Sequence, residues 1–149
     1  MKSIVIHAAK DLRIEDRDMP EPGQGEVQVA LATGGICGSD LHYYLHVGFG
    51  AVRLREPMIL GHAVSGHINM LGCGVTGLRV GPLVAVSPSR PCYQCFYGAQ
   101  GLHQQCLNMR FYASAMPCLH VQGAFSEILV AGASQCVPAD GLTPGERLQ

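Results

Sequence analysis

The sequence predicts a mainly β domain with short helices (α+β), built as a partly open barrel that carries a long cysteine-bearing loop. Three observations carry this expectation. Glycine (19 residues) and proline (9 residues) punctuate the chain so often that long helices have no room. Apolar residues alternate with polar ones in short runs, as in Glu26 to Ala32. Hydrophobic residues make up 48% of the chain and charged ones 14%, a balance that forms a core rather than a disordered chain. The 149 residues suit one domain spanning 1–149.

The elements follow in order. Ser3 to Ala8 and Leu12 to Glu15 read as a strand pair, with Lys10-Asp11 near its turn. Pro20 to Gly25 is a loop. Glu26 to Ala32 is a half-buried strand with Val27, Val29 and Leu31 on one face, and Gly34-Gly35 breaks it. Ser39 and Asp40 are candidates to cap a short helix whose Leu41, Tyr44 and Leu45 share a face, ended by Gly48 and Gly50. Ala63 to Leu71 and Leu83 to Ser87 read as strands joined by a glycine-rich loop. Pro88 to about Cys118 is irregular and holds most of the cysteines. Phe125 to Ala131 and Gln135 to Pro138 are late strands. Thr143, Pro144 and Glu146 resemble a helix start.

Composition also excludes some functions. The formal net charge is −1 and the Lys and Arg residues are scattered, so nothing steers the chain to nucleic acid or an anionic membrane. No apolar run approaches the roughly 20 residues of a spanning helix. Met1 to Asp16 reads as a strand entering a domain, not as a signal peptide, which points to the cytoplasm. Seven cysteines without a secretion signal favour metal or catalytic roles over a disulfide framework.

Gly35 to His42 sets the Cys37 thiol just before the helix start, where the helix dipole favours an anion, and the thiolate is the metal-binding form. His62 follows Gly61 at a strand entrance, where an imidazole could meet that thiolate. A Cys and a His from separate segments begin a catalytic zinc site of three protein ligands and one open position. Ser39 and His42 are close enough to relay a proton to solvent. The residues alone leave simpler roles open: packing for Cys37, and a hydrogen-bonded core or surface position for His62.

Cys92 and Cys95 are separated by two residues, with Cys106 eleven residues after Cys95. The spacing suits one arm of a tetrahedral structural zinc site. Such a site takes four ligands and three cysteines are placed for it, with His103 a conceivable fourth. A thioredoxin-like redox reading of the Cys-x-x-Cys pair lacks its strand-to-helix setting. Gly72 to Gly77 matches G-x-G-x-x-G, but Leu78 to Pro82 is no helix start and no acidic residue follows at the ribose distance. It is expected to be a loop between strands.

GGICGSDLHYY (34–44), LGHAVSG (60–66), PSRPCYQC (88–95), QCLNMRFYASAM (105–116) and HVQGAFSE (120–127) together resemble the GroES-like catalytic domain of zinc-dependent medium-chain alcohol dehydrogenases. The likeness covers nearly the whole chain and leans to the branch of the sorbitol and L-idonate 5-dehydrogenases. It implies that Cys37 and His62 are catalytic zinc ligands, that Ser39 and His42 form the proton relay, and that Asp40 lies near the zinc shell. It implies that Cys92, Cys95 and Cys106 are three of four structural zinc ligands. The implied reaction moves hydride between NAD or NADP and a secondary alcohol of a polyol or sugar acid.

The departures carry their own implications. The family has Gly-His-Glu where this chain has Ala63 after His62, and a cysteine where this chain has Gly98. A further zinc ligand and the Rossmann coenzyme domain, with every cofactor-binding residue, lie beyond Gln149 in the family pattern. The expectation is therefore an inactive, truncated dehydrogenase domain that self-associates through the face a coenzyme domain would cover. Two alternatives are a half-enzyme completed in trans and a zinc-binding interaction module.

Overall fold

In the computed structural model, which describes residues 1–139, 141 and 142, the chain is mostly strand with one α-helix. The order is β1 (Lys2–Ala8), β2 (Asp11–Asp16), β3 (Glu26–Gly35), α1 (Gly38–His46), β4 (Gly48–Phe49), β5 (Val52–Arg53), β6 (Met58–Ile59), β7 (Ala63–Leu71), β8 (Leu83–Val86), β9 (Ser89–Arg90), β10 (Arg110–Phe111), β11 (Ile128–Gly132) and β12 (Cys136–Pro138). The expected helix start at Thr143, Pro144 and Glu146 lies outside the described residues. No helix among them is long and apolar enough to cross a membrane.

Two sheets form the open barrel. One runs β2-β1-β6 and the other β11-β3-β7-β8-β12, with antiparallel pairing throughout. The residues leading into β11 stitch them together: Ile4 N–H donates to the Phe125 carbonyl at 2.8 Å, and Glu127 N–H to the Lys2 carbonyl at 3.0 Å. On the other side, Leu31 N–H reaches the Glu127 carbonyl at 3.0 Å. The larger core cluster includes Val27, Val29, Val64, Ile68, Val84 and Val86. Each such side chain, fully buried, contributes about 1.5–3 kcal/mol. A second cluster packs Ile6, Tyr43, Met58 and Leu60 beneath α1.

Several local expectations change. The strand does not break at Gly34-Gly35: β3 runs on to Gly35 because both residues keep partners on β7, Val64 and Ala63. Nor is only one face of β3 buried. Gln28 is buried as fully as Val27 and Val29, donating through Nε2 to the Pro20 carbonyl at 2.8 Å and accepting from Asn69 Nδ2 at 2.6 Å. Two buried hydrogen bonds make that polar position tolerable.

Helix α1 also differs. Its buried face is Asp40 and Tyr43, while Leu41 and Leu45 are exposed. The Tyr43 hydroxyl accepts the Ala115 N–H at 3.0 Å, and that anchor sets the rotation of the helix. Cys37 is the N-cap and Asp40 the third helical residue, so Ser39 does not cap. Val47, not a glycine, takes the left-handed turn at the C-terminus, while Gly48 opens the β4–β5 hairpin. The segment from Pro88 to Cys118 is irregular as expected, apart from short 3-10 turns and the β9–β10 ladder. The late strands are Ile128–Gly132 and Cys136–Pro138, with a 3-10 turn, Ala133–Gln135, between them.

Candidate metal centres

Cys37 sits at the start of α1 with its side chain exposed. The Ser39 hydroxyl donates to its sulfur at 3.6 Å. His62 lies just before β7 and is mostly buried, with its ring 5.4 Å from that of Phe111. Asp40 connects the two segments. Its Oδ2 accepts the Cys37 N–H at 2.9 Å and its Oδ1 accepts the Gly61 N–H at 3.1 Å. The same Oδ1 is 4.0 Å from His62 Nδ1. One buried carboxylate thus holds the backbone on either side of the two metal-type donors.

The Gly61 backbone is itself constrained. Its φ is +86°, and a Cβ there would stand 2.1 Å from the Phe125 ring. Phe125 is held in turn by its N–H to the Leu60 carbonyl at 2.8 Å, and Ala124 N–H meets the Gly61 carbonyl at 2.8 Å. The 120–127 segment therefore clamps the loop that presents His62. His42 is exposed on the next turn of α1 after Ser39, its ring 6.2 Å from His46 and 6.1 Å from Phe49. Ser39 and His42 are three residues apart and so share a helix face.

A catalytic zinc takes three protein ligands and leaves one position open. Cys37 and His62 supply two donors, and Ala63 offers none. Among the described residues the single group of three or more Cys, His, Asp or Glu with metal-ligand spacing lies elsewhere. The fit to a catalytic zinc within these residues is therefore incomplete.

That other group is Cys92, Cys95 and Cys106, whose sulfurs all lie within 4.8 Å of one another. Cys92 and Cys106 sulfurs are 3.4 Å apart, and those of Cys95 and Cys106 are 4.0 Å apart. Backbone N–H groups aim at them: Cys92 and Asn108 at Cys106, and Gly98 at Cys95. The Gln94 N–H, the Cys106 thiol and the Cys95 N–H pull the Cys92 thiol down to about 6. Cys106 shifts upward. The Cys92 N–H favours its thiolate, but burial and the two neighbouring sulfurs outweigh that. His103 stands outside the group, its ring edge-on to Tyr93 at 4.8 Å.

The Gly72 to Gly77 loop binds backbone to backbone. Gly72 N–H donates to the Glu26 carbonyl at 2.8 Å, and a Cβ on Gly72 would stand 1.9 Å from the Gly23 carbonyl oxygen. Strand β8, not a helix, follows it. Three features escaped the sequence reading: the double acceptor role of Asp40, Phe125 against Gly61, and Phe111 against His62. The first has a local signal, because a carboxylate three residues after an N-cap forms half of a capping box. The other two join segments about 50 to 60 residues apart and have none.

The alcohol dehydrogenase GroES-like domain model matches residues 23–141. L-idonate 5-dehydrogenase of Escherichia coli is 37% identical over 137 residues, covering 92% of this chain and 39% of that protein. Chicken sorbitol dehydrogenase is 46% identical over 89 residues, covering 60% of this chain and 25% of that protein. The crystal structure of the E. coli L-idonate 5-dehydrogenase superposes with a TM-score of 0.87 at 36% identity, over 94% of this chain and 40% of that one. The chain thus spans about two fifths of the length of the E. coli relative. With the family model over most of the chain, and with its strands folded as in that relative, this chain belongs to the GroES-like domain family of the zinc-dependent alcohol and polyol dehydrogenases.

Proposed function

We propose that this chain is the metal-site domain of an NAD(P)-dependent oxidoreductase acting on a secondary alcohol of a polyol or sugar acid. The observation that carries the reading is the Asp40 bridge, which holds Cys37 and His62 on facing segments. In this reading Cys37 and His62 would hold zinc. A bound zinc supplies Lewis-acid polarisation of the alcohol oxygen. Ser39, hydrogen-bonded to Cys37, accepts the alcohol proton as it gives its own hydroxyl proton to His42, which passes a proton to solvent from the exposed face of α1. Asp40 positions the two donor segments and takes no part in the proton transfer. Phe111 covers one side of the His62 ring and limits water there.

In this reading the third zinc donor and the nicotinamide site are supplied by residues other than the described ones. Ala63 removes the carboxylate that would otherwise follow His62, so we propose that these residues alone bind the catalytic zinc poorly and do not turn over. The test is zinc per chain by native mass spectrometry, comparing the chain with Ala63→Glu, Cys37→Ser and Ala63→Glu/Cys37→Ser. Ala63→Glu is expected to gain one equivalent that the double variant loses. Equal zinc in all four proteins would sink the reading, whereas NADH formation from L-idonate or sorbitol by the unaltered chain would overturn only the expectation that these residues alone do not turn over.

A further inference from the structure

The Cys92, Cys95 and Cys106 site does not fit the four-ligand structural zinc of its family. Zinc in structural sites is almost always four-coordinate. Among the described residues three donors are present, and the place of the fourth is crowded by backbone. Gly98 is buried where a fourth cysteine would stand. A Cβ on it would lie 2.9 Å from the Tyr93 carbonyl carbon and 3.0 Å from its Cα. Tyr93 holds φ at +58°, a left-handed conformation uncommon for a residue with a side chain. The Tyr93 backbone has therefore closed over the stem that a fourth ligand would need. His103, the nearest alternative donor in sequence, meets the Tyr93 ring edge-on instead.

The three sulfurs nevertheless form a ready donor set. Sulfurs bound at about 2.3 Å to one ion lie roughly 3.3 Å apart at the near-right angles of a pyramidal lone-pair ion and about 3.8 to 4.0 Å apart at tetrahedral or trigonal angles. The Cys92–Cys106 and Cys95–Cys106 separations, 3.4 and 4.0 Å, fall within that span. Each sulfur also accepts an N–H: Cys106 from the Cys92 and Asn108 backbones, Cys95 from Gly98, and Cys92 from Asn108 Nδ2 at 3.7 Å. An N–H donor of this kind favours the thiolate form of the sulfur that accepts it.

We propose that this loop is a three-coordinate, all-thiolate site selective for a soft thiophilic ion that needs no fourth ligand, trivalent arsenic being the probe of that class. Soft thiolates select soft ions, and geometry decides among them. Arsenite binds by exchange: three As–O bonds give way to three As–S bonds, and the thiol protons leave with the hydroxyls as three waters. No oxidation state changes. The inference rests on the loop alone, so failure of the Cys37 and His62 reading leaves it intact.

The experiment is native mass spectrometry of the reduced full chain with one equivalent each of arsenite and Zn(II). One arsenic per chain, retained against a tenfold excess of zinc, is the expected result. Each of Cys92→Ser, Cys95→Ser and Cys106→Ser is expected to weaken it by more than the roughly 100-fold that loss of an outer-shell partner costs. Cys73→Ser, at an exposed cysteine outside the loop, is expected to have no effect. Zinc displacing arsenic at equivalence in the unaltered chain would overturn the proposal, and that arm needs no variant to fold. So would arsenic binding that survives all three lobe substitutions, or a tetrahedral Co(II) spectrum lost on His103→Ala.

Discussion

The carboxylate of Asp40 accepts the backbone N–H of Gly61 at 3.1 Å, tying the first turn of α1 to the residue before His62. With its second oxygen on the Cys37 N–H at 2.9 Å, it is a buried tie between two segments 24 residues apart. Replacing it by alanine strands two N–H groups. Asp40→Ala is expected to destabilise the domain by about 2–4 kcal/mol, and Asp40→Asn, which keeps one acceptor, by less. Urea denaturation measures both. A cost for Asp40→Ala below about 0.5 kcal/mol would mean the bridge is not structural.

Gly61→Ala meets two separate obstacles. The left-handed φ of +86° costs a side chain about 1–2 kcal/mol, and the new Cβ falls on the Phe125 ring. Gly61→Ala is therefore expected to cost several kcal/mol, of the size seen for overpacking with added backbone strain. A double-mutant cycle with Phe125→Ala should recover the steric part and leave the backbone part. Full additivity of the two changes would show that the contact is absent in solution.

The domain is expected to be base-labile through Cys136 and Tyr112. Burial pushes the Cys136 thiol from 9.0 up to about 11, and the Tyr112 hydroxyl from 10.0 up to about 12. Both groups bind their proton more tightly folded than unfolded. Their effect on stability is absent below the unfolded pKa and becomes a loss as pH rises through 9 to 11 for Cys136 and 10 to 12 for Tyr112. For Cys136 the loss reaches on the order of 2–3 kcal/mol above the window. Melting temperature against pH should fall across that range, and less steeply for Cys136→Ala between 9 and 11. Parallel curves would refute the assignment.

Ser39→Ala and His42→Ala are expected to act on the proton relay. In an assembly that supplies the third zinc donor and the nicotinamide site, each should lower turnover by about 10²–10⁴-fold, the range for general acid–base groups. Zinc content should stay unchanged. The pH dependence of kcat should shift as well, which a purely structural defect does not produce. Unchanged turnover in both variants would assign the relay to other groups.

The strand boundaries were legible because apolar alternation is a local property: β1, β7 and β12 lie within a residue of their expected ends. The Gly72 to Gly77 segment is legible as a loop between strands for a local reason, the missing helix start after Gly77. Helix α1 was legible as a helix but not in its rotation. Leu41, Tyr44 and Leu45 make the more apolar stripe, yet Asp40 and Tyr43 face inward because their partners, Gly61 and Ala115, lie 21 and 72 residues away. The run of β3 past Gly34-Gly35 was hidden for the same reason, since pairing with β7 outweighs two glycines.

By itself the sequence determined the chemistry available: a thiol at a helix start, an imidazole after a glycine, and three spaced cysteines, while only the family resemblance marks Ala63 and Gly98 as places where ligands are missing. Residue identity and short spacing settle those matters because they depend on neighbours within about ten positions. Only the tertiary structure decided what the residues do to one another. It set Asp40 between Cys37 and Gly61, Phe125 against Gly61, and the Tyr93 backbone over Gly98. The first two of these close long loops, whose entropic cost is met by burial and hydrogen bonding across the whole barrel, and no local pattern encodes that. The third turns on a left-handed backbone at a tyrosine, which the surrounding loop imposes and Tyr93 alone would not favour.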